Sequence, residues 1–368
     1  MKTLSESRPV RASASERHAS SASGSGALAH QVGRFGLLGL LGLVLLVFGL
    51  ARPGEFATWD NIKYTLDQQS VVVIGGLAVM IPLLTDSIDL SVAANISLSN
   101  IMLAGLTTNQ GLPTAVAVVL AILVSTAVGL VNGIVAEYLL VPAFVGTLGM
   151  ATVLGGLGLA YTGGIDILTV PAGVTSMIRT EVLGLARAVY FALACMLVVA
   201  FVLRYLPVGR KLRAVGANPR AAELTGIQPK KYRIASLTLG GTVAGIAGVV
   251  LTGQLGSASS TGSANALLLP VFAAVFLGST VFTPGRHNVL GLLVAALFLS
   301  FLSSGLVLLG APVWAAPLIN GSALILAIAL SAWAIRLRAA RFRAQQLSAL
   351  DAEEPGDGGA TVGPLVAT

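Results

Sequence analysis

Residues 113–137 read PTAVAVVLAILVSTAVGLVNGIVAE, from Pro113 to Glu137. A helix that crosses a bilayer needs about 20 consecutive, mostly apolar residues. This run meets that need, and its single charge, Glu137, stands at its end. Runs of the same kind recur near 33–52, 69–85, 89–107, 143–161, 186–206, 234–255, 265–283, 288–310 and 313–335. The reading predicts an all-α, polytopic membrane helical bundle of about ten transmembrane helices. The segment 69–107 is also open to a broken or re-entrant reading.

Composition demands the same environment. Hydrophobic residues make up 55% of the 368-residue chain and charged residues 10%, with a mean hydropathy of +0.88. A soluble domain carries about 25% charged residues, so this chain lacks the charge to cover itself with a hydrated surface. The net charge of +7 would suggest nucleic acid in a soluble protein. Here the basic residues gather in the two tails and one central loop, which fits cytoplasmic segments of a membrane protein and no nucleic-acid partner.

Residues 1–32 are rich in Ser, Ala and Arg without apolar periodicity and read as a disordered cytoplasmic tail. Phe35–Leu50 resembles a signal-peptide core. The long tail before it and the membranous chain after it favour an uncleaved first helix. The transmembrane domain is expected over 33–336, with a cytoplasmic tail at 337–368. With the N-terminus inside, strict alternation places the loop 207–233, the turn at Arg286 and the C-terminal arginines inside as well. The outer loops then keep only Arg52, Lys63 and Arg179. Both termini are expected to be cytoplasmic.

The loop 207–233 holds a small-helix signal. Asn218 is a strong N-cap, and Pro219 suits the first helical position. Arg220-Ala221-Ala222-Glu223-Leu224 follows, and Gly226 suits a left-handed stop. Such a helix buries little alone, so it is expected to dock on a partner. Replacing Ala222 with Trp is expected to block that docking by overpacking.

Here the chain resembles a family. Gly209, Arg210, Ala214, Val215, Gly216, Asn218, Ala221, Ala222, Gly226 and Ile227 are similar to the coupling-helix loop of monosaccharide ABC transporter permeases of the ribose, xylose and arabinose type. Two further stretches agree. One is Ile88-Asp89-Leu90-Ser91-Val92. The other runs from Asn132-Gly133 through Val141-Pro142-Ala143-Phe144 and Thr147-Leu148-Gly149-Met150 to Tyr161-Thr162-Gly163-Gly164. The resemblance covers roughly 35–335. It implies the inner-membrane permease subunit of a bacterial importer for a sugar or sugar-like solute, driven by a separate ABC ATPase. It also implies a periplasmic or lipid-anchored solute-binding protein and a second permease copy, as homodimer or paralogous heterodimer. Gly209, Arg210, Gly216, Asn218, Pro219, Ala221, Ala222, Glu223 and Gly226 become the ATPase-coupling candidates. The family pattern has glycine where this chain has Asp86, Ser87 and Ala93. Its late Gly-Gly turns are reduced here to Gly278-Ser279 and Thr283-Pro284-Gly285-Arg286.

Asp86 and Asp89 lie between two apolar runs, where an ionisable group marks a pathway or a water-filled region by default. With Ser91, Asn95 and Asn100 they are the candidate substrate pathway. The competing reading makes Asp89 the cap of a helix starting at Leu90 and gives the asparagines, Asn132 included, interhelical hydrogen bonds. Gly241, Ala244, Gly245 and Gly248 share one helical face and are read as packing within the bundle.

No Gly-x-x-x-x-Gly-Lys-Ser/Thr loop occurs, so any ATP is bound by the partner subunit and the chain needs no cofactor of its own. One cysteine, Cys195, and three scattered histidines (His18, His30, His287) provide no metal site. No catalytic constellation is seen, so the chain is not expected to be an enzyme. The competing function classes are an ion-coupled secondary transporter, which the scarcity of midplane charge opposes, an intramembrane enzyme, and a branched-chain amino-acid ABC permease.

Overall fold

The computed structural model describes residues 35–329 apart from 284, 313 and 327. The expected tails at 1–32 and 337–368 lie outside the described residues. The chain runs as α1 (Phe35–Ala51), α2 (Trp59–Leu83), α3 (Val92–Thr108), α4 (Thr114–Tyr138), α5 (Ala143–Thr162) and α6 (Ala172–Arg179). A two-residue hairpin follows, β1 (Glu181–Val182) with β2 (Leu185–Ala186), paired antiparallel. Then come α7 (Arg187–Tyr205), α8 (Pro207–Ala217), α9 (Pro219–Leu224), α10 (Pro229–Leu255), α11 (Leu268–Gly278), α12 (Val289–Leu308) and α13 (Ala315–Leu326). Among the described residues, α2, α4, α5, α7, α10 and α12 are long and apolar enough to cross a membrane. The helices α1, α3 and α13, and the stretch Asn265–Gly278, are apolar but shorter.

Helix α10 is the hub and packs against α2, α3 and α4. Its small-residue face meets other helices of the same chain. A Cβ on Gly241 would stand 2.5 Å from the Ser125 carbonyl oxygen and 2.9 Å from the Gly129 Cα of α4. Gly248 is pressed in the same way onto Ile96 and Ser99 of α3. Lipid supplies no hydrophobic drive between helices, so close backbone approach through small residues does that work.

The helix boundaries differ from the sequence reading most at two places, each for a physical reason. Helix α2 begins ten residues before the predicted 69, because charges that lower its hydropathy find partners at that end. Lys63 pairs with Asp60 at 3.2 Å and Glu181 at 3.7 Å, and Gln254 donates to Asp67 Oδ1 at 3.0 Å. The predicted helix 265–283 is shorter than expected. A 3-10 turn, Asn265–Leu267, leads into α11, whose 11 residues rise only about 16 Å. That is about half a hydrocarbon core. Irregular backbone at such depth is tolerated where protein satisfies it, and α3 does so. Asn100 donates to the Ser257 carbonyl at 3.1 Å, and Ala264 N–H donates to Ser97 Oγ at 2.9 Å.

Candidate functional site

Helices α8 and α9 form one module. Gly209, Leu212 and Val215 fall on the inner face of α8 and are buried, while Arg210, Lys211 and Arg213 are exposed. Asn218 ends α8 in an extended conformation and starts α9, its side chain accepting from Ala221 N–H at 3.1 Å. Pro219 opens α9, and Gly226 takes φ +81 after it. Arg220, Ala221 and Glu223 face outward. Ala222 does not, being 4% exposed. The overpacking expected of Ala222→Trp therefore falls inside this chain's own fold and cannot report on a partner. The outward apolar group is Leu224, 90% exposed. Sequence reasoning missed it because in a short helix nothing but tertiary packing decides which side chain is left out.

The module rests on the turn between α2 and α3. Gly216 is packed on that backbone: a Cβ there would overlap the Leu84 carbonyl oxygen and lie 3.3 Å from Thr85 Cα. Thr85 Oγ1 and Ser236 Oγ of α10 share a buried hydrogen bond of 2.8 Å. Asp86 then takes φ +60, a conformation that favours glycine and tolerates Asp or Asn, at a position where the resembled family carries glycine. Its side chain is exposed.

Asp89 is buried, and its Oδ1 accepts from Ser91 N–H at 2.9 Å and Ser91 Oγ at 2.6 Å. Asn132 of α4 donates to the same Ser91 Oγ at 2.8 Å, and Leu90 N–H donates to Thr147 Oγ1 of α5 at 3.0 Å. The helix starts at Val92, two residues beyond the predicted start at Leu90. The Asp89–Ser91 pair thus ties this turn to α4 and α5.

The other pathway candidates are also internal. Asn95 is buried and donates to the Ser125 carbonyl at 3.1 Å. Asn100 is buried, donates to Thr252 Oγ1 at 3.0 Å and accepts from Ser263 Oγ at 3.0 Å. Of the five candidates, Asp89, Ser91, Asn95 and Asn100 are engaged within the fold, and Asp86 alone faces open space.

At the opposite end of α3 a cleft of about 20 Å³ opens between α3, α5 and the segment after α10, with Ser97, Gly155, Gly158, Ser260, Thr261 and Asn265 among its lining. Asp166 holds this segment. It accepts from Ser260 N–H at 2.7 Å and Ser260 Oγ at 2.8 Å. These bonds keep its carboxyl below the usual carboxylate range. The sequence offered no signal for Ser260 or Thr261, which fall in the connection between the apolar runs 234–255 and 265–283, or for Asn265, which the hydropathy reading places at the start of the second run. Among the described residues no group of His, Cys, Asp and Glu could hold a metal ion.

A capped short helix thus stands at one end of the bundle, joined through α8 and Gly216 to the turn between α2 and α3. The family model described as "Branched-chain amino acid transport system / permease component" matches residues 61–328. The chain belongs to this family of ABC transporter permeases. Three relatives show its breadth. The permease is 30% identical over 301 residues to the probable ABC transporter permease protein YphD of Escherichia coli, covering 82% of this chain and 90% of that one. It is 31% identical over 298 residues to the fructose import permease protein FrcC of Rhizobium meliloti, covering 78% and 82%. It is 30% identical over 282 residues to the autoinducer 2 import system permease protein LsrC of Salmonella choleraesuis, covering 76% and 80%. No solved structure matches it. The permease is thus a non-catalytic, polytopic inner-membrane subunit of an ABC-type importer.

Proposed function

We propose that this permease passes a sugar or sugar-like solute across the inner membrane, driven by a separate ATPase that grips α9. The fructose and D-allose permeases among the relatives carry the reading, and the narrow cleft lined by Ser97, Ser260, Thr261 and Asn265, with room for about one water, agrees with it in chemistry. Its polar groups are hydroxyls and an amide, which can exchange hydrogen bonds with a hydroxylated neutral solute. The family description favours a second reading, a branched-chain amino acid. That solute carries an ammonium and a carboxylate, and the cleft offers neither a charged partner.

In this reading the module acts by leverage. Closure of the ATPase pulls α9, α8 follows, and Gly216 passes the displacement to the Leu84–Thr85 turn. The Asp89–Ser91–Asn132 bonds carry it to α4, and Thr147 carries it to α5. A solute-binding protein, periplasmic or lipid-anchored, delivers the solute, and a second permease copy completes the pathway. The shorter α1, α3, α11 and α13 bring the count to about ten membrane segments, with both termini cytoplasmic. Reporter fusions at Arg34 and after Arg343 are then both active on the cytoplasmic side, and an outward C-terminal fusion refutes the even count.

Uptake of radiolabelled pentoses, hexoses, polyols and leucine in a deletion strain tests the solute class. Loss of one sugar or polyol, restored by the parent gene, is the expected result. Loss of leucine uptake alone would overturn the sugar reading.

A further inference from the structure

A second cavity, at the α8 end of the molecule, lies apart from the cleft described above. It measures about 660 Å³ and is walled by the α2–α3 turn, α7, α8 and the α11–α12 loop. Three guanidinium groups reach it from three different elements: Arg204 at the end of α7, Arg213 on α8 and Arg286 in the α11–α12 loop. Among the described residues none of the three is in an ion pair, those falling on Arg52, Lys63 and Arg233; Arg204 stands over the Tyr205 ring, 5.8 Å from its centroid. Among the described residues Asp86 is the only carboxylate in the lining, so the described wall keeps a net positive charge. His287 also lines the cavity, and its Nδ1 is buried without a hydrogen-bond partner.

From this convergence we propose that the cavity is a binding site for a phosphate-bearing anion. Guanidinium forks suit tetrahedral oxyanions, which present several oxygens to donors arriving from different directions. Arginines that merely solvate a surface repel one another. Three of them bordering one open recess, each exposed, give an anion donors from three directions. The volume lies within the range of about 300–1,000 Å³ usual for small-molecule sites and exceeds what a bare phosphate fills. Leu83 and Leu84 on one wall add apolar surface for the rest of an ester. The site thus fits either the headgroup of an anionic phospholipid or a soluble phosphate ester. Basic pockets between membrane helices commonly take lipid headgroups. Because Gly216 and Asp86 both border the cavity, an occupant would pin α8 to the α2–α3 turn. The binding claim stands apart from the identity of the transported solute.

The test uses the full chain, purified in a neutral detergent. Native mass spectrometry measures retention of phosphatidylglycerol against phosphatidylcholine, and titration with inorganic phosphate measures the soluble source. The parent is expected to retain phosphatidylglycerol at least about tenfold over phosphatidylcholine, or to bind phosphate directly. The first result assigns a lipid and the second a soluble ester. Arg204→Gln, Arg213→Gln and Arg286→Gln should each weaken binding by about tenfold, as expected for a lost charge-assisted hydrogen bond. Lys231→Gln, outside the cavity, should leave it unchanged. Asp86→Asn should tighten binding by about threefold through removal of a like charge; Asn suits the positive φ, and a misfolded variant would not bind more tightly. The proposal is overturned if neither probe binds, if the arginine variants bind like the parent, or if Asp86→Asn fails to tighten binding.

Discussion

Replacing Gly216 with Ala is the sharpest probe of how α8 is joined to the membrane core. The added Cβ would overlap the Leu84 carbonyl oxygen and sit 3.0 Å from the Leu84 carbonyl carbon. Both atoms are backbone, so no side chain can rotate away. Carbon–oxygen contacts settle at about 3.3–3.6 Å, so α8 or the turn must withdraw by about 1 Å. Overpacking of this kind costs about 1–3 kcal/mol. The cost falls on the contact through which α9 would act on the turn bearing Asp89 and Ser91. The expected outcome is a lower melting temperature in detergent, together with uptake reduced far more than the amount of assembled complex. Gly226→Ala is the matched control. Nothing lies within 4 Å of the added methyl, and only the φ of +81 opposes it, at about 1–2 kcal/mol. That strain is local to the end of α9. A Gly216→Ala permease that melts and transports like the parent refutes the proposed linkage between α8 and the α2–α3 turn.

Three other outcomes follow from the same geometry. Asp89→Ala removes the acceptor of two bonds from Ser91 and strands a buried N–H, so it should cost about 1–3 kcal/mol; Asp89→Asn keeps an acceptor oxygen and should melt closer to the parent. Leu224→Glu should leave the melting temperature unchanged and lower co-purification with the ATPase, whereas Ala222→Trp should lower the melting temperature of the permease by itself. Asp166 has a folded pKa below its unfolded one, so its stabilisation is complete above the ordinary carboxylate range and is lost as pH falls through the folded value. Acid should therefore loosen the 257–265 segment in hydrogen exchange, and the pH dependence should be smaller in Asp166→Ala.

The sequence by itself determined the class of environment and several local structures. With 10% charged residues no soluble surface can be built, so the apolar runs had to be membrane helices. The capped helix at 219–224 was legible because its signals are local: Asn218 bonds a backbone N–H three residues on, and Gly226 alone relieves a positive φ. The packing role of Gly241 and Gly248 was legible for a similar reason, since small residues at helical spacing define a face whatever that face meets. Tertiary structure decided the rest. Asp89, Ser91, Asn95 and Asn100 look alike in sequence whether they line a path or hold the fold. Asp89 and Ser91 bond each other locally, but the partners of Ser91, Asn95 and Asn100 on other elements lie tens to more than a hundred residues away, as with Ser91 and Asn132 or Asn100 and Thr252. The shortness of α11, which spans Leu268–Gly278 where a helix over 265–283 was expected, was hidden as well, because hydropathy measures how apolar a stretch is. Whether its backbone is helical or is satisfied by another helix's side chains depends on α3. The convergence of Arg204, Arg213 and Arg286 on one cavity is likewise set by where three distant elements end in space, which no local pattern encodes.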